Sequence, residues 1–265
     1  MHNSIFKLFT LLLFCLYFGS LPAAANNIDA VMRSVVSISG QNSSGEPVFA
    51  TAFMVAASTR NTVWLVSSAH SFNSIAEEHA CVKLRRLERN VYRPMPVQVR
   101  IRERSRALYF SHQHLDLAAI KIELPAEADC CVFSWDFIAD EKQLERASAG
   151  AGTRVLIPGY PYGEACNDAG FAFARSGVIS SFPLRPASIY PVFHVDFEVF
   201  AGYSGAPVIS GGSGGTLMLG MVLEEVFLEE LRSQKGKKQL RTRRGLGLAK
   251  VLSAPLIREF IAGLR

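Results

Sequence analysis

The chain has 265 residues, 49% hydrophobic and 19% charged, with 28 Lys and Arg against 23 Asp and Glu. Its 20 Gly and 12 Pro, spread along the chain, exclude a collagen-like or low-complexity protein, and the apolar fraction excludes intrinsic disorder. The length allows one domain of two subdomains, or two small domains, with ample apolar area for a core.

Residues 1–25 hold one formal charge, Lys7, then a largely apolar run from Leu8 to Phe18. Gly19-Ser20-Leu21-Pro22 and Ala23-Ala24-Ala25 follow, so the segment reads as a secretory signal peptide cut after Ala25. The run is short for a bilayer span, and an uncleaved anchor is the alternative. Cys15 sits mid-run behind bulky Phe14 and does not mark a lipid anchor. Cleavage would leave 27 basic and 23 acidic groups, net +4. No later stretch reaches the length of a membrane helix, so the mature protein is expected to be secreted or periplasmic. Cys81, Cys130, Cys131 and Cys166 remain, and an even count in an exported chain permits disulfides. Adjacent cysteines bond poorly, which leaves two pairings open. No C-x-x-C spacing suggests zinc.

The mature chain reads as many short strands. Val35 to Ile38, Ala52 to Ala56 and Val63 to Ser67 are rich in β-branched and aromatic residues and bounded by Gly, Asn and Ser. Residues 97–102 alternate strictly, with Val97, Val99 and Ile101 on one face. Phe193, Val195, Phe197 and Val199 alternate likewise against His194, Asp196 and Glu198. Further strands are predicted at 117–122, 153–157, 171–179, 217–223 and 246–251. A short helix is predicted over 141–147. A firmer one closes the chain over 255–263, opened by Pro255, stopped by Gly263, with a stripe of Leu256, Ile257, Phe260 and Ile261. Two strand blocks, near 30–138 and 150–252, and a closing helix predict an all-β protein of sandwiches or barrels.

Three segments carry chemistry. Val63-Trp64-Leu65-Val66-Ser67-Ser68-Ala69-His70 runs a buried-looking strand into a histidine. Leu115-Asp116-Leu117 wedges an acid between leucines as an apolar strand begins. Gly202-Tyr203-Ser204-Gly205-Ala206-Pro207 places a serine in a glycine-flanked turn. A serine needs a base within hydrogen-bond reach, and a histidine serves when a carboxylate holds its tautomer. Glycines let backbone N–H groups approach a developing oxyanion. The order His, Asp, Ser excludes the α/β-hydrolase order, because the last histidine, His194, precedes Ser204. It excludes the Asp, His, Ser order too, since only Asp29 and Glu46 precede His70 in the mature chain.

With these motifs the sequence resembles the trypsin-like serine peptidases, with the chymotrypsin double β-barrel, in their bacterial form. Further matching segments are Thr51-Ala52-Phe53-Met54-Val55, Asp116-Leu117-Ala118-Ala119-Ile120, Gly159-Tyr160-Pro161 and Gly177-Val178-Ile179, in family order. The resemblance implies two six-stranded barrels and a C-terminal helix. It also implies His70 as general base, Asp116 as its orienter and Ser204 as nucleophile, with the N–H groups of Gly202 and Ser204 as oxyanion hole. Two departures stand out. Ala206 replaces the usual second glycine, and Tyr203 occupies the place where digestive members have an acid that pairs with a new N-terminus. No such activation switch is therefore expected. The 61 residues after Ser204 are taken up by strands and the helix, leaving no room for an appended peptide-binding domain.

The resemblance puts Glu198 at the base of the specificity pocket, where an acid would attract Arg or Lys, although it also fits the polar face of its strand. Val222, Leu223 and Glu224 would form the pocket wall. Residues 232–244 hold seven basic groups (Arg232, Lys235, Lys237, Lys238, Arg241, Arg243 and Arg244) after Glu224, Glu225, Glu229 and Glu230. They read as a solvated loop or as a grip for an anionic partner. His112, His114 and His79 lack the spacing of a metal site. Gly211 to Gly215 lacks the Lys of a phosphate loop. The expectation is a cofactor-free, metal-free endopeptidase acting on protein or peptide. The alternative is a weak or inactive peptidase-fold protein that binds anions through 232–244.

Overall fold

A computed structural model describes residues 23–24, 27–57, 62–212, 215–232 and 240–264. Apart from Ala23 and Ala24, the expected signal peptide lies outside them. So do Lys235, Lys237 and Lys238 of the basic segment.

Helix α1, Ile28–Ser34, opens the body of the chain. Its signal is Asn27, whose side chain accepts from Ala30 N at 2.8 Å, with Asp29 in the first turn and Arg33 in the last. Strands β1 Val35–Gln41, β2 Pro47–Ala56 and β3 Thr62–Ser67 follow where the apolar runs predict them. Helix α2, Ala69–Ser74, and strand β4, His79–Glu88, lie outside the predicted elements. Strand β4 turns into β5, Val91–Arg100, through Arg89 and Asn90 at φ 48° and 65°. Both turn residues are thus left-handed, as a tight two-residue hairpin requires, without the Asn-Gly pair that usually announces one. Strands β6 Phe110–Ser111 and β7 Ala118–Glu123 complete a seven-stranded sheet of order β5-β4-β1-β2-β3-β7-β6.

Helix α3, Glu141–Arg146, links the halves behind a capping box of Asp140 and Gln143. Strands β8 Arg154–Gly159, β9 Phe173–Ile179, β10 Val192–Asp196, β11 Pro207–Gly212, β12 Gly215–Arg232 and β13 Leu240–Ser253 then close a barrel of order β8-β9-β10-β13-β12-β11. The C-terminal half is thus a six-stranded barrel as expected, whereas the N-terminal half is built on a seven-stranded sheet in place of a second closed six-stranded barrel. The β12–β13 pair runs far past the barrel, pairing out to Arg232 opposite Leu240. Helix α4, Ala254–Ala262, buries Ala254, Ile257 and Ile261 on one face, with Leu256 and Phe260 half-buried beside them. No helix among the described residues is long and apolar enough to cross a membrane.

Strand alternation builds two cores from the same strands. Phe53 and Val55 of β2, with Trp64 and Val66 of β3, join a cluster that continues through Val155, Phe193 and Val222 of the barrel. Their neighbours Met54, Val63 and Leu65 point the other way, into a cluster with Ile38, Phe72 and Val82. Strands buried on both faces read as unbroken apolar runs, which is why Ala52-Phe53-Met54-Val55 shows no polar alternation. The first cluster spans both halves, so their interface is core rather than a wet seam.

Arg85 of β4 crosses this interface fully buried. Its guanidinium donates to Val35 O at 2.9 Å and Arg33 O at 3.2 Å in the first half, and to Tyr160 Oη at 2.8 Å and Gly170 O at 3.1 Å in the second. Its plane also lies 4.6 Å from the Phe171 ring centroid. A buried charge held by neutral dipoles and a ring face is costly unless nearly every donor is used, and four of these five contacts are hydrogen bonds. Cys81, Cys130, Cys131 and Cys166 stand as free thiols rather than in either of the disulfide schemes that the sequence leaves open. Burial pushes the thiols of Cys130 and Cys131 up, so both are held as neutral, unreactive groups.

Candidate active site

Strand register brings the histidine and the acid together. In the antiparallel β3–β7 pair, Ser67 at the end of β3 faces Ala118 at the start of β7. His70, three residues beyond Ser67, and Asp116, two residues before Ala118, therefore leave the sheet at the same end. The His70 N–H donates to Asp116 Oδ1 at 2.8 Å, and His70 Nδ1 lies 2.6 Å from Asp116 Oδ2. Burial acts to raise the Asp116 carboxyl, but the side-chain and backbone bonds from His70 outweigh it and hold the group below the usual carboxylate range. An ionised carboxylate only accepts, so Nδ1 carries the hydrogen of this bond, and in the neutral ring Nε2 is the nitrogen that keeps a lone pair. His112 tightens the approach to Asp116. Its Nδ1 accepts from His114 N at 3.1 Å and Leu115 N at 3.0 Å, which gives this histidine pair a turn-forming role.

The serine turn is delivered by the barrel and fastened to the first half. Thr51 of β2 donates its N–H to Ser204 O at 2.9 Å and its hydroxyl to Gly202 O at 2.6 Å. The same hydroxyl accepts from Tyr160 N at 3.1 Å. Ser67 Oγ, on the strand leading to His70, donates to Thr51 O at 2.7 Å. A Cβ on Gly205 would collide with both Thr51 O and Ser67 Oγ, so the residue after Ser204 is pressed against β2 and the end of β3, from which the chain runs on to His70. Gly205 also has φ 88° and Gly202 φ 99°, conformations open mainly to glycine. A side chain on Gly202 would meet Tyr160 O. The N–H groups of Gly202 and Ser204 find no acceptor among the described residues, which leaves two donors free at the turn.

On the other side, Gly205 N donates to Val222 O and Val222 N to Ala206 O, both at 2.8 Å. Residues 222–224 of β12 thus border the turn. Val222 and Leu223 are buried, while Glu224 is exposed and ion-paired to Lys250 at 3.3 Å. The Ser204 hydroxyl donates to Leu223 O at 2.9 Å. Glu198 lies two residues past the end of β10 with its side chain exposed, and its carbonyl accepts from Arg175 Nη1 at 2.9 Å. Tyr203 is fully buried, and burial pushes its phenol up. Among the described residues no three His, Cys, Asp or Glu side chains converge as metal ligands.

Two solved structures share this architecture over nearly the whole chain. One is the crystal structure of the serine endoprotease from Yersinia pestis, at a TM-score of 0.52, 15% identity and 89% of this chain covered. The other is the HtrA-type protease AlgW with tripeptide, at a TM-score of 0.52, 16% identity and 92% covered. The fold is that of the trypsin-like serine peptidases. No family model and no curated protein matches the sequence itself. The chain spans 64% of the length of each of the two structures.

Within the trypsin-like fold, the sequence singles out His70, Asp116, Ser204 and Gly202 without the residues that seat them. Thr51, Ser67, Tyr160 and Arg175 go unmarked in those roles. Thr51 and Tyr160 lie inside motifs that carry the resemblance, but nothing local indicates that a threonine will bond a turn 151 residues away. Of the basic segment, Arg243 and Arg244 are exposed, and the Arg243 guanidinium sits 3.9 Å from the Phe227 ring centroid.

Proposed function

We propose that this chain is an exported serine endopeptidase that hydrolyses peptide bonds through an acyl-enzyme. The observation that carries the reading is the two-point grip of Asp116 on His70 beside a serine turn pinned to the same strands. His70 Nε2 would take the Ser204 proton as the oxygen attacks the scissile carbonyl, and Asp116 would stabilise the imidazolium. The free N–H groups of Gly202 and Ser204 would receive the oxyanion, each worth about two to three orders of magnitude in rate. His70 would then give its proton to the leaving amine, and water would hydrolyse the ester. Attack requires the Ser204 hydroxyl to leave Leu223 O for His70 Nε2. That carbonyl would then be free for a substrate N–H.

The signal-like segment 1–25 supports export, with 26–265 as the peptidase unit. A protein or peptide substrate would lie along Val222, Leu223 and Glu224. Exposed Arg243 and Arg244 support an additional anionic partner at 232–244, which neutralising that segment and measuring salt-dependent retention on heparin would test.

The deciding experiment is covalent labelling with a fluorophosphonate probe. Stoichiometric labelling of the wild type, absent in Ser204→Ala, is the expected result. A folded wild type that takes no label sinks the peptidase reading and leaves a binding protein on a peptidase fold.

A further inference from the structure

The segment from Phe197 to Ser204 carries the serine into place yet belongs to no strand or helix. Its backbone is tied at the serine end by Thr51 N, which donates to Ser204 O at 2.9 Å, and by Ala206 N, which donates to Tyr203 O at 2.9 Å. Phe197 N donates to Gly247 O at 3.0 Å and Tyr203 N to Phe200 O at 3.1 Å, while Ala201 O and Gly202 O accept from Tyr162 N and Thr51 Oγ1, both at 2.6 Å. One side chain outside the segment touches four of its residues. Arg175, on the barrel strand β9, places its guanidinium 4.4 Å from the Phe197 ring centroid, 4.9 Å from that of Phe200 and 5.4 Å from that of Tyr203. Its Nη1 donates to Glu198 O at 2.9 Å.

The Tyr203 ring is also packed tightly against β8. A Cβ on Gly159 would overlap its Cδ1 and Cε1 atoms, so β8 makes room for the ring by having no side chain there. Phe197 meets the same ring edge-on at 5.1 Å. The residue before Ser204 therefore cannot rotate without leaving both the Gly159 backbone and the Arg175 cation.

We infer that Arg175 is a positioning residue of the reaction proposed above, a built-in cationic brace that fixes the Phe197–Ser204 segment so that the Gly202 and Ser204 N–H groups stay aimed at an oxyanion. A planar guanidinium suits this task because it stacks on several ring faces and still donates in its own plane. Lysine offers a point charge and cannot do both at once. The brace is permanent, since a strand residue supplies it.

This inference rests on the peptidase reading, and the experiment separates the two. Wild type, Arg175→Met and Arg175→Lys are compared in the full chain by three readouts: acylation rate with the fluorophosphonate, kcat and KM on fluorescein-labelled casein, and affinity for a peptide boronic acid, which mimics the tetrahedral intermediate. Arg175→Met should lose about tenfold or more in kcat and in acylation rate, with boronate affinity falling in parallel and KM nearly constant. Arg175→Lys should fall between it and the wild type. Should Arg175→Met not fold, Arg175→Gln replaces it. A lowered Tm with wild-type kcat and boronate affinity per folded molecule would reduce Arg175 to a stability role and overturn the inference, leaving the peptidase reading intact. A wild type inert to the fluorophosphonate overturns both.

Discussion

The Thr51 hydroxyl donates to the carbonyl of Gly202 at 2.6 Å, a bond between residues 151 positions apart that joins the two halves of the molecule at the serine turn. The same oxygen accepts from Tyr160 N, so one buried hydroxyl satisfies groups on both sides of the turn. Thr51→Val keeps the shape and removes the oxygen. It should cost about 1–3 kcal/mol of stability by leaving two buried backbone groups unpaired. Urea denaturation measures this, and the acylation rate should drop with it.

Asp116→Asn keeps the size of the side chain but removes the charge that selects the His70 tautomer. Fluorophosphonate labelling should slow by about three to four orders of magnitude with the fold retained. The stability profile should change as well. The folded carboxyl lies below its ordinary value, so its contribution is present above the unfolded pKa of about 4 and is lost as pH falls through the folded pKa. Wild-type Tm should therefore decline more steeply than that of Asp116→Asn below about pH 4.

Gly205→Ala tests the seating of the serine. Its methyl group would meet Thr51 O and Ser67 Oγ from a backbone at φ 88°. Clash and left-handed strain together should cost more than about 2 kcal/mol, visible as a lower urea midpoint. Ala206→Gly, one residue on, should be mild by comparison.

Arg85→Met removes the cation that ties β4 to Tyr160 and Gly170. Tyr160 Oη and the carbonyls of Val35 and Gly170 would lose a buried donor, at a combined cost of at least about 3 kcal/mol. Because the bonds to Tyr160 and Gly170 cross between the halves, calorimetry should show the loss as a less cooperative transition as well as a lower Tm.

Much of the fold is legible in the chain's own pattern. Strands β2 and β3 show as apolar runs buried on both faces, β1 and β7 begin as such runs before Gln41 in one and Lys121 and Glu123 in the other turn to solvent, and β10 shows its alternation of Phe193 and Val195 against His194 and Asp196 plainly. Strand β4 is not legible, because Lys83, Arg85 and Arg86 break the apolar pattern and one of them, Arg85, is buried for reasons supplied by the other half of the chain. Helix α2 is six residues long, and its helicity follows from where β3 ends rather than from propensity.

The sequence by itself determined the chemistry on offer: a histidine, an acid and a serine in that order, glycines around the serine, and strand periodicity sufficient for an all-β fold. Their placement was decided in three dimensions. The Ser67–Ala118 register brings His70 and Asp116 to one sheet end, and Thr51, Ser67 and Arg175 seat the serine turn. Such contacts depend on strand pairing and shared burial between segments far apart in the chain, and no local pattern encodes which partners will meet.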